Sequence, residues 1–215
     1  MGNTVSQMIP LSYQKGTAVA FAVGLTAVAH YVPSEEEGVM MSLSNLAYLG
    51  SFSLWFGMQF WVTFVAGLTK LKILPRHWFG KVQTALFHKF MMGGILLNGT
   101  MLSTFIIRHP FDTWKDDTLY MGSGLIFSNI MAGISGLLIE PRVAKHVEDM
   151  HKYEKEEGYG DEIGPIKSGA ILEDPKYQEM KSTFFKMHGI STVLNLVGFV
   201  VSGAHLWFLA RKLHV

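Results

Sequence analysis

Long stretches without a charged residue constrain this 215-residue chain more than any other feature. Five of them hold 115 residues in total and lie at positions 16–34, 38–69, 90–107, 118–139 and 187–210. A helix needs about 20 predominantly apolar residues to cross the hydrocarbon core of a bilayer. Charged residues make up 16% of the chain, whereas about 25% is usual in soluble domains. The pattern favours an integral membrane protein over a water-soluble domain.

Four of these runs predict membrane-spanning helices, and prolines and charges indicate where the helices end. We expect them over about residues 42–71, 79–107, 119–140 and 188–210. Pro75 follows the first helix, and Pro141 closes the third span. Residues 142–186 form a polar loop whose first part is expected to continue the third helix into solvent. The predicted fold class is all-α, a polytopic membrane bundle of four core helices.

The remaining run, residues 16–33, is ambiguous because many of its side chains are small. It has features of a signal peptide, and as a helix it would be about 27 Å long, which is short for a span. Small residues recur on one helical face, which suits close packing against another helix: Gly16, Ala20, Gly24 and Ala27. We favour a helix that packs on the bundle or on a neighbouring subunit. We also favour a helix that spans the membrane over one that does not.

This run divides the chain into an N-terminal extension, residues 1–41, and a four-helix membrane domain, residues 42–215. The opening residues also fit the N-myristoylation pattern at Gly2, which stays an open alternative. Lysine and arginine are unevenly distributed over the connections: residues 70–84 and 141–186 hold 12, and the opposite side holds 4. The positive-inside rule therefore places these two connections together on the cytosolic side or its organellar equivalent. An endomembrane, the plasma membrane and an organellar inner membrane all stay open.

Several classes of function are disfavoured by composition and motifs. The chain has no cysteine, which excludes disulfides and thiolate ligands. Its net charge of +1 does not suit a nucleic-acid-binding protein. Nucleophile elbows, phosphate-binding loops, HExxH pairs and dinucleotide fingerprints are absent from the sequence. We therefore expect a protein that is not an enzyme.

Polar side chains within the predicted spans are the candidate site residues, because burying them in lipid is costly. On the third helix Asn129 and Glu140 share a face with three glycines, and on the fourth His188, Asn195 and Ser202 recur every seven residues. Gln59 and Thr63 share a face of the first helix. We expect these polar stripes to meet inside the bundle, where amides bond across helices. The alternative is a polar pocket that binds or conducts a solute.

Nine histidines call for a separate test of haem or metal binding. His88 and His188 begin the charge-free parts of the second and fourth helices on the same side, so paired axial ligation of a haem is an alternative. Lys89 and Lys186 adjoin that pair, which favours interfacial or capping roles instead. His146 and His151 are five residues apart and do not share a helical face. We expect no metal site and no obligatory cofactor, with lipids as the bound molecules.

Four sequence blocks resemble a known family. They are WFGMQFWVTFVAG at 55–67, LPRHWFGKVQTALF at 74–87, EPR at 140–142 and, within 174–196, DPKY followed by FFKMHGIS and NL. Over about residues 44–210 the chain resembles the transmembrane protein 205 family. The resemblance implies a four-helix membrane domain, and the family has no agreed activity. Positions marked by these motifs include Gln59, Arg76, Gln83, Glu140, Arg142, His188 and Asn195. The chain departs from its relatives at His88 and Lys89, where they carry proline and aromatic residues.

The motifs place Arg76 and Gln83 at the membrane face where Glu140, Arg142 and His188 also lie. We expect Arg76 to pair with Glu140, with Gln83 or His188 alongside, so that the cluster locks the helix ends together. The favoured function is a non-enzymatic structural or accessory subunit of a larger membrane assembly, in contact with the bilayer and with other subunits. A small-solute or metal-ion transporter using the polar faces of helices three and four, and a haem-bearing electron-transfer subunit, are the alternatives.

Overall fold

The computed structural model describes residues 37–212, and the N-terminal run and Gly2 lie outside them. Four long helices, numbered α1 to α4, account for most of this range. The first, α1, comprises Glu37–Phe60, a π-helical turn over Trp61–Ala66, and Gly67–Ile73. The second, α2, is Arg76–Arg108.

Helix α3 comprises Asp116–Gly133, a second π-helical turn over Ile134–Ile139, and Glu140–Glu156, and α4 is Pro175–Lys212. Short 3-10 turns over Phe111–Thr113 and Ala170–Leu172 lie in the connections. No β-strand occurs between residues 37 and 212, where Pro75 and Ile163 form an isolated antiparallel bridge.

All four helices are long and apolar enough to cross a membrane. Helix α3, at 41 residues, measures about 60 Å at 1.5 Å per residue, roughly twice the hydrocarbon thickness. Its charged second half, Glu140–Glu156, therefore extends beyond the lipid, as does the charged first part of α4, residues 175–187. The predicted all-α membrane bundle with four core helices is confirmed.

One predicted helix continuation is confirmed and one helix start needs correction. Helix α3 continues through Pro141, because the π-helical turn directly before it changes the hydrogen-bond register and the missing N–H falls at the junction. The predicted continuation of α3 beyond its span is thereby confirmed, but the continuation is not solvated on every side, since Met150 and Glu154 are buried. Helix α4 begins at Pro175, not at His188, because the Asp174 carboxylate accepts the N–H of Lys176 at 2.8 Å and caps the helix.

The helices divide into two compact units. The first contains the chain up to residue 55 and residues 92–129. Its core includes Trp55, Met101 and Phe105, none more than 6% exposed. Gly94 makes room for this core, since a Cβ at that position would lie 2.6 Å from the Trp55 ring.

The second unit contains residues 56–91 and the chain from residue 130 onwards. The part predicted as a polar loop has a small hydrophobic core of its own, formed by four buried side chains: Met150, Ile166, Ile171 and Tyr177. Tyr153, Tyr159 and Phe184 pack against it. This segment is therefore a folded structure outside the predicted spans, and the connection between α3 and α4 contributes Ile166 and Ile171 to its core.

Candidate functional site

The Glu154 side chain is the centre of a buried polar cluster at the end of α3. Its carboxylate is fully buried and accepts hydrogen bonds from side chains at the starts of α2 and α4. Arg76 Nη2 donates to Oε1 at 2.7 Å, and Arg76 Nε lies 3.0 Å from both oxygens. The Tyr177 hydroxyl donates to Oε1 at 2.9 Å. We call Arg76, His77, His151, Glu154 and Tyr177 the Glu154 cluster.

Two imidazoles complete the cluster. His77 Nε2 donates to Glu154 Oε2 at 3.0 Å, and the His77 and His151 ring centroids are 4.6 Å apart. Nitrogen or oxygen atoms of His77, His151 and Glu154 all lie within 4.8 Å of one another. No other group of three such side chains with that spacing occurs in the described part of the chain.

The connection after α3 holds the start of α2 in place. The N–H of Arg76 donates to Glu162 O at 2.8 Å, and the N–H of His77 donates to Gly160 O at 3.1 Å. Together with the bridge between Pro75 and Ile163, these bonds join the two basic connections, as their predicted placement on one side requires. Gly160 has φ 123°, and a Cβ there would lie 2.0 Å from the His77 ring. Only glycine suits this position.

Burial and charge act in opposite directions on the acidic and basic groups of the cluster. Burial disfavours the charged forms of Glu154 and Arg76, but their mutual hydrogen bonds and attraction outweigh it. The pKa of Glu154 is therefore lowered and that of Arg76 is raised. Burial, with the adjacent Glu154 carboxylate, raises the pKa of Tyr177 to about 12. The ion pair is consequently fully formed at neutral pH.

The pKa of His151 is governed mainly by burial, because this side chain has no hydrogen-bond partner among residues 37–212. Burial lowers the pKa of His151 to about 4, although the Glu154 charge acts in the opposite direction. The imidazole is therefore neutral at physiological pH. A neutral imidazole with an unused nitrogen lone pair can accept a proton or a metal ion.

The predicted pairing of Arg76 with Glu140 is wrong. Helix α3 continues past Glu140 and brings Glu154 to the start of α2, where Arg76 lies. Glu140 instead contacts His88, with Oε2 at 3.2 Å from Nδ1. The sequence pattern placed the acidic partner at the lipid boundary because it assigned that position to the end of the helix.

The other residues of the predicted lock contact partners other than Arg76. Gln83 Oε1 accepts a hydrogen bond from Lys70 Nζ at 2.7 Å. Arg142 is exposed and donates to the carbonyl of Leu138 on its own helix. His188 stacks on Phe184, with ring centroids 5.4 Å apart. The expected companions of Arg76 thus each have another partner.

The predicted meeting of polar stripes is found between α1 and α4. The Ser202 hydroxyl donates to Gln59 Oε1 at 2.7 Å, and both side chains are buried. Asn195 Nδ2 donates to Thr63 Oγ1 at 2.8 Å. The paired positions run in opposite directions along the two helices, as expected for antiparallel neighbours.

Asn129 on α3 bonds to α2, with Nδ2 3.0 Å from the carbonyl oxygen of Asn98. It also donates to the carbonyl of Leu125, one turn earlier. In this way the predicted stripe residues on α1, α3 and α4 contribute bonds between helices.

The two candidate haem ligands are not joined by any hydrogen bond, ion pair or ring contact in the described residues. His88 Nδ1 contacts Glu140, and its Nε2 is buried without a hydrogen-bond partner in that range. His188 faces the Phe184 ring. Haem ligation by this pair stays a prediction.

Sequence reasoning missed Glu154, His77 and His151. The spacing of three between His151 and Glu154 places both on one face of a helix, which is a signal that the comparison of His146 with His151 passed over. His146 itself contacts the Met180 carbonyl at 2.7 Å. The contribution of His77 needs the contact between α2 and α3, which no local pattern contains.

Comparison with known proteins identifies the family. Residues 50–152 match the model described as a domain of unknown function, DUF4149. Transmembrane protein 205 of Danio rerio is 31% identical over 185 residues, an alignment that covers 82% of this chain and 97% of that protein. No solved structure gives a significant match. With four helices able to span a membrane and this relationship over most of its length, the chain belongs to the transmembrane protein 205 family of integral membrane proteins.

Proposed function

We propose that the chain is a non-enzymatic structural or accessory subunit of a larger membrane assembly. The observation that carries this proposal is the pairing of the intramembrane polar side chains with one another. Gln59 is 1% exposed and bonds to Ser202, so its amide contributes to helix packing. A solute pathway needs polar groups that face a passage, whereas Asn129 and Asn195 bond to neighbouring helices.

The outer surface of the bundle offers apolar side chains for lipid or for other subunits. On α4 the exposed fractions of Val200 and Trp207 are both 69%. Several further large apolar residues of the same helix are exposed: Phe185, Ile190 and Val193. Such a surface is stable in contact with acyl chains or with another membrane protein. We place the main subunit contact at the small-residue stripe of the N-terminal run, Gly16, Ala20, Gly24 and Ala27.

Native electrophoresis of the full-length chain, solubilised in mild detergent at its natural expression level, tests the proposal. We expect it to migrate with a complex much larger than the detergent-bound monomer, together with other polypeptides in fixed ratio. The double variant Gly16→Leu/Gly24→Leu should release it while membrane insertion is kept. Ala18→Leu/Ala22→Leu makes comparable size changes on the opposite helical face and should leave the complex intact.

A chain that migrates alone and supports solute flux in proteoliposomes would refute the accessory role in favour of the transporter. A Soret absorption band in the same preparation would favour the haem-bearing alternative, and His88→Ala would then have to abolish it.

A further inference from the structure

We propose that His77, His151 and Glu154 bind a divalent transition-metal ion of the Zn²⁺ class. This site goes beyond the proposed accessory role and does not depend on it. The three side chains come from α2 and α3, and their ligand atoms already lie within 4.8 Å of one another. Ligand atoms about 2 Å from a shared metal ion are separated by distances within that limit.

The donor set selects the class of metal. Two imidazoles and one carboxylate suit Zn²⁺ and its neighbours in the first transition series. Ca²⁺ and Mg²⁺ prefer oxygen ligands and would find only one carboxylate among the three side chains. Three protein ligands also leave a coordination position for water or another small ligand, as in open zinc sites.

The protonation and orientation of the two imidazoles favour metal binding. His151 makes no hydrogen bond among residues 37–212, and burial keeps it neutral, so one of its two ring nitrogens has a free lone pair at physiological pH. His77 Nε2 is directed at Glu154 Oε2, 3.0 Å away. A metal ion between these two atoms replaces the proton that they share.

The carboxylate is oriented from its other side. Arg76 Nη2 and the Tyr177 hydroxyl make the shortest bonds, and both go to Oε1. Oε2, which His77 contacts, accepts only the longer bond from Arg76 Nε, at 3.0 Å, and is therefore the oxygen more available to the metal. Hydrogen bonds of this kind to a ligating carboxylate fix its orientation and raise affinity.

The positive charge of Arg76 opposes a dication, but it is not the only nearby charge. Glu162 is close enough to raise the pKa of Arg76, and its Oε2 accepts the N–H of Gly160 at 2.8 Å. Its Oε1 is buried and has no hydrogen-bond partner in the described part of the chain. Lys81 also acts on the His151 ring, so two carboxylates stand against two positive side chains. The carboxylates thereby offset the repulsion between these side chains and a dication.

Two glycines keep the imidazoles together. A Cβ at position 80 would lie 2.0 Å from Cε1 of His151, and one at position 160 would lie equally close to Cε1 of His77. Any side chain at either position would push a ring away from the carboxylate. The backbone thus leaves room for both rings at the distance that a shared metal requires.

Zn²⁺ titration by calorimetry tests the site in the full-length protein, purified in detergent and stripped with a chelator. We expect one saturable Zn²⁺ per chain, unaffected by millimolar Mg²⁺ or Ca²⁺. His151→Gln should weaken binding by at least about 10-fold, the loss that even an outer-shell change causes. His109→Gln removes an imidazole outside the cluster and should leave the affinity unchanged.

The melting temperature of His151→Gln in chelator shows whether the variant is folded. We expect it to match that of the wild type, because His151 has no hydrogen bond to lose. Wild-type binding that is absent, or that persists unchanged in folded His151→Gln, would overturn the proposal. As a measurement independent of any variant, electron spin echo spectroscopy of wild type with one equivalent of Cu²⁺ should count two coordinated imidazoles. A count of none or one would also overturn it.

Discussion

Arg76 and Glu154 lie 78 residues apart and form a bidentate ion pair in which the carboxylate is fully buried. The pair joins the first turn of α2 to the last turns of α3. Because Tyr177 donates to the same carboxylate, the start of α4 is held at the same point. The cluster therefore fixes the ends of three helices outside the hydrocarbon layer.

Breaking this pair should be costly. Removing one partner of a buried ion pair leaves the other charge uncompensated, at about 3 to 5 kcal/mol. We expect Arg76→Gln and Glu154→Gln each to lower the free energy of unfolding by about that amount. Reversible unfolding in detergent with a chelator present measures the loss without any contribution from bound metal.

A double-mutant cycle identifies the partner of Arg76. Arg76→Gln and Glu154→Gln should be strongly non-additive, whereas Arg76→Gln and Glu140→Gln should add, because Glu140 contacts His88 instead. Additivity in the first cycle together with coupling in the second would restore the pairing predicted from sequence.

The hydrogen bond between Gln59 and Ser202 should contribute measurably to packing inside the membrane. Bonds between membrane helices average about 0.6 kcal/mol, and leaving a buried amide unpaired costs about 1 to 3 kcal/mol. We expect Ser202→Ala to lower the free energy of unfolding by about 1 kcal/mol. Ser53→Ala, a change at an exposed serine of α1, is the matched control. Equal effects of the two substitutions would show that the bond contributes nothing.

Sequence patterns predicted the helices well because length and lack of charge are local properties. The stripe containing Asn195 and Ser202 was predicted to meet polar groups of another helix, and both residues bond to α1. A heptad spacing fixes which residues share a face. It does not fix which neighbouring face they meet, so the individual pairs required the structure.

The Glu154 cluster could not be predicted in the same way. Charged residues from 142 to 186 gave an average polarity that favoured a solvated segment, yet Glu154 is fully buried and Met150 is 2% exposed. Burial there depends on Ile166, Ile171 and Tyr177 from a later part of the chain. Local composition contains no information about such long-range packing.

The close approach of Gly94 to Trp55 predicts a strong effect from a very small substitution. A Cβ at position 94 would lie 2.6 Å from the indole ring. Trp55 is 6% exposed and cannot move aside without disturbing its neighbours. Overpacking of this kind costs about 1 to 3 kcal/mol, so we expect Gly94→Ala to lower the free energy of unfolding by that amount.

Gly99→Ala is the control on the same helix. The nearest atom to a Cβ there is Oδ1 of Asn129, at 3.9 Å, which is an ordinary contact. Since alanine has the higher helix propensity, this variant should be neutral or slightly more stable. Thermal unfolding of both variants in the same detergent decides the matter, and a loss in Gly99→Ala equal to that in Gly94→Ala would refute the steric explanation.

Asp174 should make the stability of the extramembrane segment depend on pH. The Tyr153 hydroxyl, followed by the backbone N–H of Lys176, lowers the pKa of the Asp174 carboxyl below its usual value near 3.8. Between the two values the unfolded chain binds the proton and the folded chain does not. The contribution of Asp174 is therefore complete above about pH 4 and is lost as the pH falls through the lower, folded value.

Two substitutions separate this charge effect from helix capping. Asparagine caps a helix about as well as aspartate, whereas alanine does not. We expect Asp174→Asn to keep most of the melting temperature at pH 7 but to reduce its decline as the pH falls below about 4. Asp174→Ala should lower the melting temperature at pH 7 and at low pH alike. If the melting temperature of Asp174→Asn depends on acid pH as that of the wild type does, other carboxylates cause the loss of stability at low pH. The capping bond to Lys176 would then stabilise the helix without a contribution from the charge of Asp174.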